Sequence, residues 1–430
     1  MSGTLQAIFQ NHRSSVEPSW VSLTAYGATG YAQRAISASG VYNGNAVYGG
    51  YIRGADAYQK AAFAFYNTSG TLQWSRSLNT GNYMSSGVFA SAFDSSGNVY
   101  VVGYDETMKG WIYKLDSSGT TLSKYYIGFS TYDGINDIKI DSSGNIYIFG
   151  KGSLSGQIVI MKLDSSLAIQ WQRAYRITGA SPVTVIGKIS VDSSGNVYGT
   201  FSYQTDGSNV YEGNPCVIKY NSSGTFQWIR SPSGTGLFKY VQLAGGAVAD
   251  SSGNVYFNSS TYDSAHSAPV ITKFNSSGTM QWCKYTTAGN YGYNMAIDSN
   301  DNIYFAQGDK IYKMTTDGVI IWANTLTSGS AEGLTIDSGA GDLASIYSSM
   351  YTPNNWLAWK LHSNGTGTGS YTVGGQSVSY VAASTTMVDF TSTIVINTPS
   401  FTSSTPSYTL TSSSYNLADA GFTASTTSLN

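Results

Sequence analysis

Asp141-Ser142-Ser143-Gly144-Asn145-Ile146-Tyr147 decides the fold, because close copies of it recur along the whole chain. Copies stand at Asp94 to Tyr100, Asp192 to Tyr198 and Asp250 to Tyr256, with a looser one at Asp298 to Tyr304. Degenerate versions bracket them at Asn43 to Tyr48 and Asp337 to Tyr347. The closing tyrosines, at 48, 100, 147, 198, 256, 304 and 347, are 52, 47, 51, 58, 48 and 43 residues apart, which makes seven units of about fifty residues.

A second motif follows each copy. It reads Val217-Ile218-Lys219-Tyr220-Asn221-Ser222-Ser223-Gly224-Thr225-Phe226-Gln227-Trp228 in the fourth unit. Both motifs share one physical shape: an apolar, β-branched or aromatic run, then Asp/Asn-Ser-Ser-Gly, then another such run. The Asp or Asn side chain accepts hydrogen bonds from the following backbone, and Gly supplies the positive φ that reverses the chain. Each motif is therefore a β-hairpin, and each unit holds four short strands. Four antiparallel strands repeated seven times describe an all-β fold, a seven-bladed β-propeller. Runs such as Ile146-Tyr147-Ile148-Phe149 are apolar on both faces, as stacked sheets require, and innermost runs such as Gly245-Gly246-Ala247 are small, which suits a crowded axis.

The two motifs together resemble the bacterial seven-bladed β-propeller repeat, over roughly residues 20 to 371. The resemblance implies fold and says little of function, since propellers host many. Departures are visible: the second unit has Ser123-Lys124-Tyr125 where Trp is expected, and the turns of the first and seventh units are eroded.

Three domains are expected: an N-terminal arm (1–16), the propeller (17–372) and a C-terminal extension (373–430). Trp20 resembles the Trp of an outer strand but has no preceding strand of its own, so residues around it are expected to complete the seventh blade and remove an open edge. The tryptophans at 20, 74, 171, 228, 282 and 322 then read as packing residues. Lys114, Lys162, Lys219, Lys273, Lys313 and Lys360 recur at one position of the second motif, in third strands away from the axis, with stems that cover neighbouring rings.

Net charge is −2 and charged residues make up 11% of the chain, so no basic surface argues for nucleic acid. No apolar stretch is long enough for a membrane span. Cys216 and Cys283 are read as buried thiols, with a disulfide left open. The start, Met1 to Arg13, lacks a basic leader with an apolar core, while the Ser, Thr, Gly, Asn and Tyr-rich composition suits an extracellular setting. A protein assembled in the cytoplasm and released by lysis reconciles the two, and Thr4 to Asn11 is similar to the starts of some tailed-phage virion proteins; a short helix packed on the propeller is the plainer reading.

Catalytic signatures are sparse. His12, His266 and His362 stand apart from Cys or Ser motifs, and no His-Glu-x-x-His, Gly-x-Ser-x-Gly or phosphate loop occurs. The turn aspartates match calcium loops poorly, so no metal and no cofactor is expected. A carboxylate pair across the axis, for example one involving Asp137 or Glu332, is a glycosidase-like arrangement open to the chain.

Variable loops are the candidate ligand surface: Tyr132, Tyr203, Tyr211, Tyr240, Tyr262, His266, Tyr291 and Tyr351 lie in long second-to-third-strand connections or between blades. In the extension, apolar residues fall seven apart at Ile394, Phe401, Tyr408, Tyr415, Phe422 and Leu429, with Pro and Ser/Thr opposing a coiled coil. An odd period alternates faces in a straight strand unless a turn or bulge interrupts each repeat. Phe401, Tyr408, Tyr415 and Phe422, with Phe9 in the arm, are the candidate docking or fibre-forming residues, against a disordered tail as the plainer reading.

The expected whole is a non-enzymatic propeller displayed on a phage particle, as tail appendage or capsid decoration. The arms would hold other virion proteins, and the loops would adhere to a host glycan or protein. A secreted glycan-binding propeller and a polysaccharide-acting enzyme are the alternatives.

Overall fold

In the computed structural model the chain is an all-β propeller of four-stranded antiparallel blades. The structure describes residues 19–26, 34–53, 59–79, 86–105, 109–127, 134–152, 156–177, 184–203, 214–233, 245–262, 267–286, 292–327, 331–337, 345–352, 355–366, 368–373, 376–383, 385, 387–389, 395–397, 401–404, 410–412, 416–418 and 422–429. The strands sort into seven hydrogen-bonded sheets. Their innermost strands, Arg34–Tyr42, Gly87–Phe93, Ile135–Ile140, Thr184–Val191, Ala247–Ala249, Gly292–Ile297 and Ala331–Asp337, touch one another in cyclic order around the axis. We number the blades 1 to 7 in that order.

The first-motif turn explains why the motif ends in Tyr. In blade 3 one oxygen of Asp141 accepts the backbone N–H groups of Ser143 and Asn145, both at 2.9 Å. The other accepts Asn145 Nδ2 at 2.8 Å and the Tyr147 hydroxyl at 3.0 Å. Asp94, Asp192, Asp250 and Asp298 repeat the arrangement with their own Asn and Tyr. Four donors saturate the carboxylate, which accounts for the recurrence of these residues without a metal.

Blades are joined by a second set of contacts. The Trp of one outer strand lies on the second-motif turn of the next blade: Trp171 Nε1 donates to the Ser222 carbonyl at 3.2 Å and Trp228 Nε1 to the Ser276 carbonyl at 3.1 Å. The turn glycine beneath is doubly required. Gly224 has φ of +73°, and a Cβ there would stand 2.7 Å from the Trp171 ring. Arg173 and Arg230 add bonds to the same turns. The recurrent lysines serve these junctions too: Lys219 Nζ lies 5.3 Å from the Tyr198 ring centroid and donates to the Ser276 carbonyl at 3.2 Å. Lys273 and Lys313 repeat this with their neighbours.

Blade 2 has Ser123 opposite Lys114, where other blades pair Trp with the third-strand residue. In the turn that follows it, in blade 3, Leu167 replaces the glycine at φ of +69° and is buried in the apolar cluster joining blades 2 and 3. A missing Trp and a missing Gly therefore coincide.

Ser19–Tyr26 pairs antiparallel with Asn355–His362 as the fourth strand of blade 7, with Trp20 opposite Lys360. Its other edge is covered by Phe422–Leu429. That last strand is the end of a belt. After blade 7, Gly369–Val373 and Gln376–Ala382 form a hairpin on the outer strand of blade 6. The chain then adds Met387–Asp389 to blade 5, Val395–Asn397 to blade 4, Phe401–Ser404 to blade 3, Leu410–Ser412 to blade 2, Asn416–Ala418 to blade 1 and Phe422–Leu429 to blade 7. It thus circles the propeller against the order of the blades, and Phe422–Leu429 comes to lie beside Gly369–Val373, where the circuit began.

The seven-residue period is the step of this belt. Equivalent outer-strand positions, three residues beyond the Trp site, pair with Asn397, Ser404, Thr411, Ala418 and Ser425, which are seven apart each time. Seven residues reach at most about 23–25 Å, enough for a short strand and a crossing to the next edge. Phe401 and Phe422, read from the sequence as docking or fibre-forming residues, lie in strands paired to the chain's own blades. Each repeat holds a strand and a connection, so the odd period imposes no alternation of faces over its length. Tyr408, Tyr415 and Phe9 lie outside the described residues.

Candidate functional site

A β-bulge interrupts the innermost strand in six blades, each time next to the axis. Such an extra residue kinks the strand and re-aims the side chain that follows. Counting back four residues from the turn Asp gives Ala90, Asp137, Lys188, Gly246, Asn294 and Gly333 in blades 2 to 7. This position is small in three blades and polar in three. The polar three, together with Lys139 and Thr335, line a cavity of about 580 Å³ between the inner strands of blades 3 to 7. The Ser142-Ser143 and Ser193-Ser194 turns also border it, so it opens on the face that carries the first-motif turns.

Asp137 is 1% exposed and accepts the Ile189 N–H of blade 4 at 2.9 Å through one oxygen. Its other oxygen faces Lys139 Nζ at 3.9 Å. Lys188 is half-buried; burial lowers its pKa, Asp137 opposes this, and the nearby charge of Lys139 adds to the lowering. Its backbone N–H donates to Thr200 Oγ1 at 2.8 Å, and Thr200 Oγ1 in turn donates to the Gly245 carbonyl at 2.6 Å, which fixes the bulge between blades 4 and 5. Asn294, 8% exposed, adds an amide with donors and an acceptor. The other charged groups on the cavity wall are committed elsewhere. Asp141 and Asp192 hold their turns, and Lys162 Nζ lies 5.3 Å from the Tyr147 ring centroid.

The cavity thus presents two lysine side chains, one fixed carboxylate and an amide, an arrangement able to hold a polar or anionic ligand. Among the described residues no group of three or more His, Cys, Asp and Glu is placed to hold a metal ion.

Of the residues singled out from sequence, Asp137 lies in this cavity. Glu332 stands at the bulge of Ala331–Asp337, and its side chain lies outside the described residues. Tyr203 is not displayed: it is 8% exposed, packed in the cluster joining blades 3 and 4, with burial first among the causes that push its hydroxyl up to about 12. Tyr262 and Tyr351 lie in strands that run on into the expected loops, Val255–Tyr262 and Ser345–Thr352, which narrows those connections to 263–266 and 353–354. Tyr132, Tyr211, Tyr240, His266 and Tyr291 lie outside the described residues. The long connections leave from the strand ends opposite the first-motif turns, so the cavity opens on the other face. Lys139, Lys188 and Asn294 were not singled out. The readable signal was a polar residue at a position that is Ala or Gly in other repeats.

No family model matches the chain, and no curated protein does. Among solved structures it is similar to the polysaccharide lyase Uly1, with a TM-score of 0.50 and 10% identity over 76% of this chain and 90% of that one. An ulvan lyase of another polysaccharide-lyase structure gives a TM-score of 0.48 and 10% identity over 80% and 96%. A putative gluconolactonase gives 0.35 and 12% over 79% and 99%. At such identities the likeness shows the fold alone. The expectation that the chain is not an enzyme is corrected to this extent: it shares its fold with a polysaccharide lyase, so the fold gives no ground for excluding catalysis.

Proposed function

We propose that the chain is an extracellular, glycan-engaging propeller that takes a saccharide into its axial cavity. One observation carries this reading: four polar side chains from three blades, Asp137, Lys139, Lys188 and Asn294, converge in a cavity of about 580 Å³. That size falls in the range of small-molecule sites, about 300–1,000 Å³. The fold shared with the lyases is consistent with a saccharide. The seven-bladed reading, supported by the seven hydrogen-bonded sheets, and the virion setting read from the sequence, supported by the low charge and Ser/Thr-rich composition, belong to the same proposal.

A glycan array followed by titration calorimetry on the full chain tests it, with Thr335→Trp as the blocked control, since Thr335 lines the cavity. Binding that Thr335→Trp abolishes supports the reading, and binding unaffected by that substitution refutes it. Reducing-end release during the same incubation reports whether the bound chain is cut. Mass spectrometry of purified particles for this polypeptide tests the virion setting.

A further inference from the structure

Resting on that reading, we infer that the axial cavity selects an anionic sugar, one bearing a carboxylate or a sulfate ester, through Lys139 and Lys188.

Charge complementarity carries the inference. Of the charged groups on the cavity wall, Asp141 and Asp192 are saturated by their turns and Lys162 is stacked on Tyr147. What remains facing the space is Asp137, Lys139 and Lys188. Over the whole wall three lysines balance three aspartates, but Asp141 and Asp192 have their oxygens engaged by their own turns, so at the inner strands Lys139 and Lys188 share the single carboxylate of Asp137. Asp137 is itself engaged by the Ile189 N–H, and at 3.9 Å its contact to Lys139 is loose. An ammonium held half out of water gains most from an anion that replaces the lost solvation. A ligand carboxylate or sulfate seated between Lys139 and Lys188 supplies that anion. Asp137 acts as a positioning residue: it lies between blades 3 and 4, bonded to one and facing the lysine of the other.

The test uses the full chain and three probes: an oligogalacturonate tetrasaccharide, a sulfated galactan tetrasaccharide and maltotetraose as the neutral arm. The expected result is affinity at least tenfold greater for one or both anionic probes than for maltotetraose, with the two anionic arms identifying which group is read. Lys188→Met and Lys139→Met should each lower anionic affinity about tenfold and lower maltotetraose affinity by a clearly smaller factor, while Lys188→Arg should retain most of the anionic affinity. Circular dichroism melts verify that each variant folds, and the Arg variant separates loss of charge from loss of packing. Equal affinity for neutral and anionic probes, still blocked by Thr335→Trp, would overturn the charge inference and leave the glycan reading standing. No binding of any probe at millimolar concentration would overturn both.

Discussion

Between blades 3 and 4, Trp171 covers Gly224, whose positive φ and close approach exclude any side chain. Between blades 2 and 3 the corresponding residues are Ser123 and Leu167, and Leu167 keeps the left-handed backbone at φ of +69° while filling the apolar cluster itself. The volume that Trp171 supplies from one side of its junction is supplied from the other side at the neighbouring one. A Leu in that conformation carries a strain of about 1–2 kcal/mol, offset by its burial. Trp and Gly are thus one choice made by two residues of adjacent repeats, and changing either alone should be worse than changing both.

The largest expected effect is from Trp171→Ala, which removes a ring 9% exposed and its bond to the Ser222 carbonyl. It should cost about 3–5 kcal/mol in guanidinium unfolding. Gly224→Leu in the parent should cost about 2–4 kcal/mol, from left-handed strain and overpacking. Combining it with Trp171→Ser should recover about 1–3 kcal/mol of coupling, because the pair then copies the blade 2 to 3 junction. Additive losses would break the comparison. Ser123→Trp should cost about 1–3 kcal/mol by crowding Leu167, and Leu167→Gly should relieve it.

Acid sharpens the contrast, because both junctions flank blades whose inner turns depend on an ionised Asp. Burial raises the pKa of Asp94 and Asp141, but hydrogen bonds from Asn98 and Asn145, with the turn backbone, outweigh it and leave both lowered. With the folded pKa below the unfolded one, the stabilisation is present above the ordinary carboxylate range and is lost as pH falls through the folded values. Unfolding midpoints should therefore drop below about pH 4, less so in Asp141→Asn. The Trp171–Gly224 coupling, which titrates nothing, should not change with pH. The smallest effect is chemical. Cys216 belongs to the cluster that holds Trp171, whereas Cys283 lies in blade 5. Burial pushes the Cys283 thiol up to about 12, against the Thr272 hydroxyl, and raises Cys216 as well. Alkylation should be slow at both, and Trp171→Ala should speed it at Cys216 while leaving Cys283 as the internal control.

The hairpins were legible because their chemistry is local: Asp141, Gly144, Asn145 and Tyr147 lie within one turn and meet in space as they do in sequence. The Trp–Gly pairing spans neighbouring repeats, so Ser123 was visible as an irregularity and Leu167 as its counterpart was not. The heptad was equally visible, yet pairing along a strand edge uses backbone groups and leaves no side-chain sign of its partner. The axial lysines escaped for a third reason. A bulge shifts the register by a residue, so the simple alternation of a strand does not say which side chain meets the axis.

The belt also sets an order of events during synthesis. Ser19–Tyr26 leaves the ribosome early but finds one neighbour in Asn355–His362 and the other in Phe422–Leu429. Each of blades 1 to 6 can pair its own four strands as they emerge, yet every outer edge stays open until the residue stretch made for it arrives, and those stretches come in reverse order. The earliest strand waits longest for its cover. A growing chain therefore carries a row of unpaired edges, each a template for a stray strand, and the Ser/Thr-rich cover that quiets them is translated only after all the blades it covers.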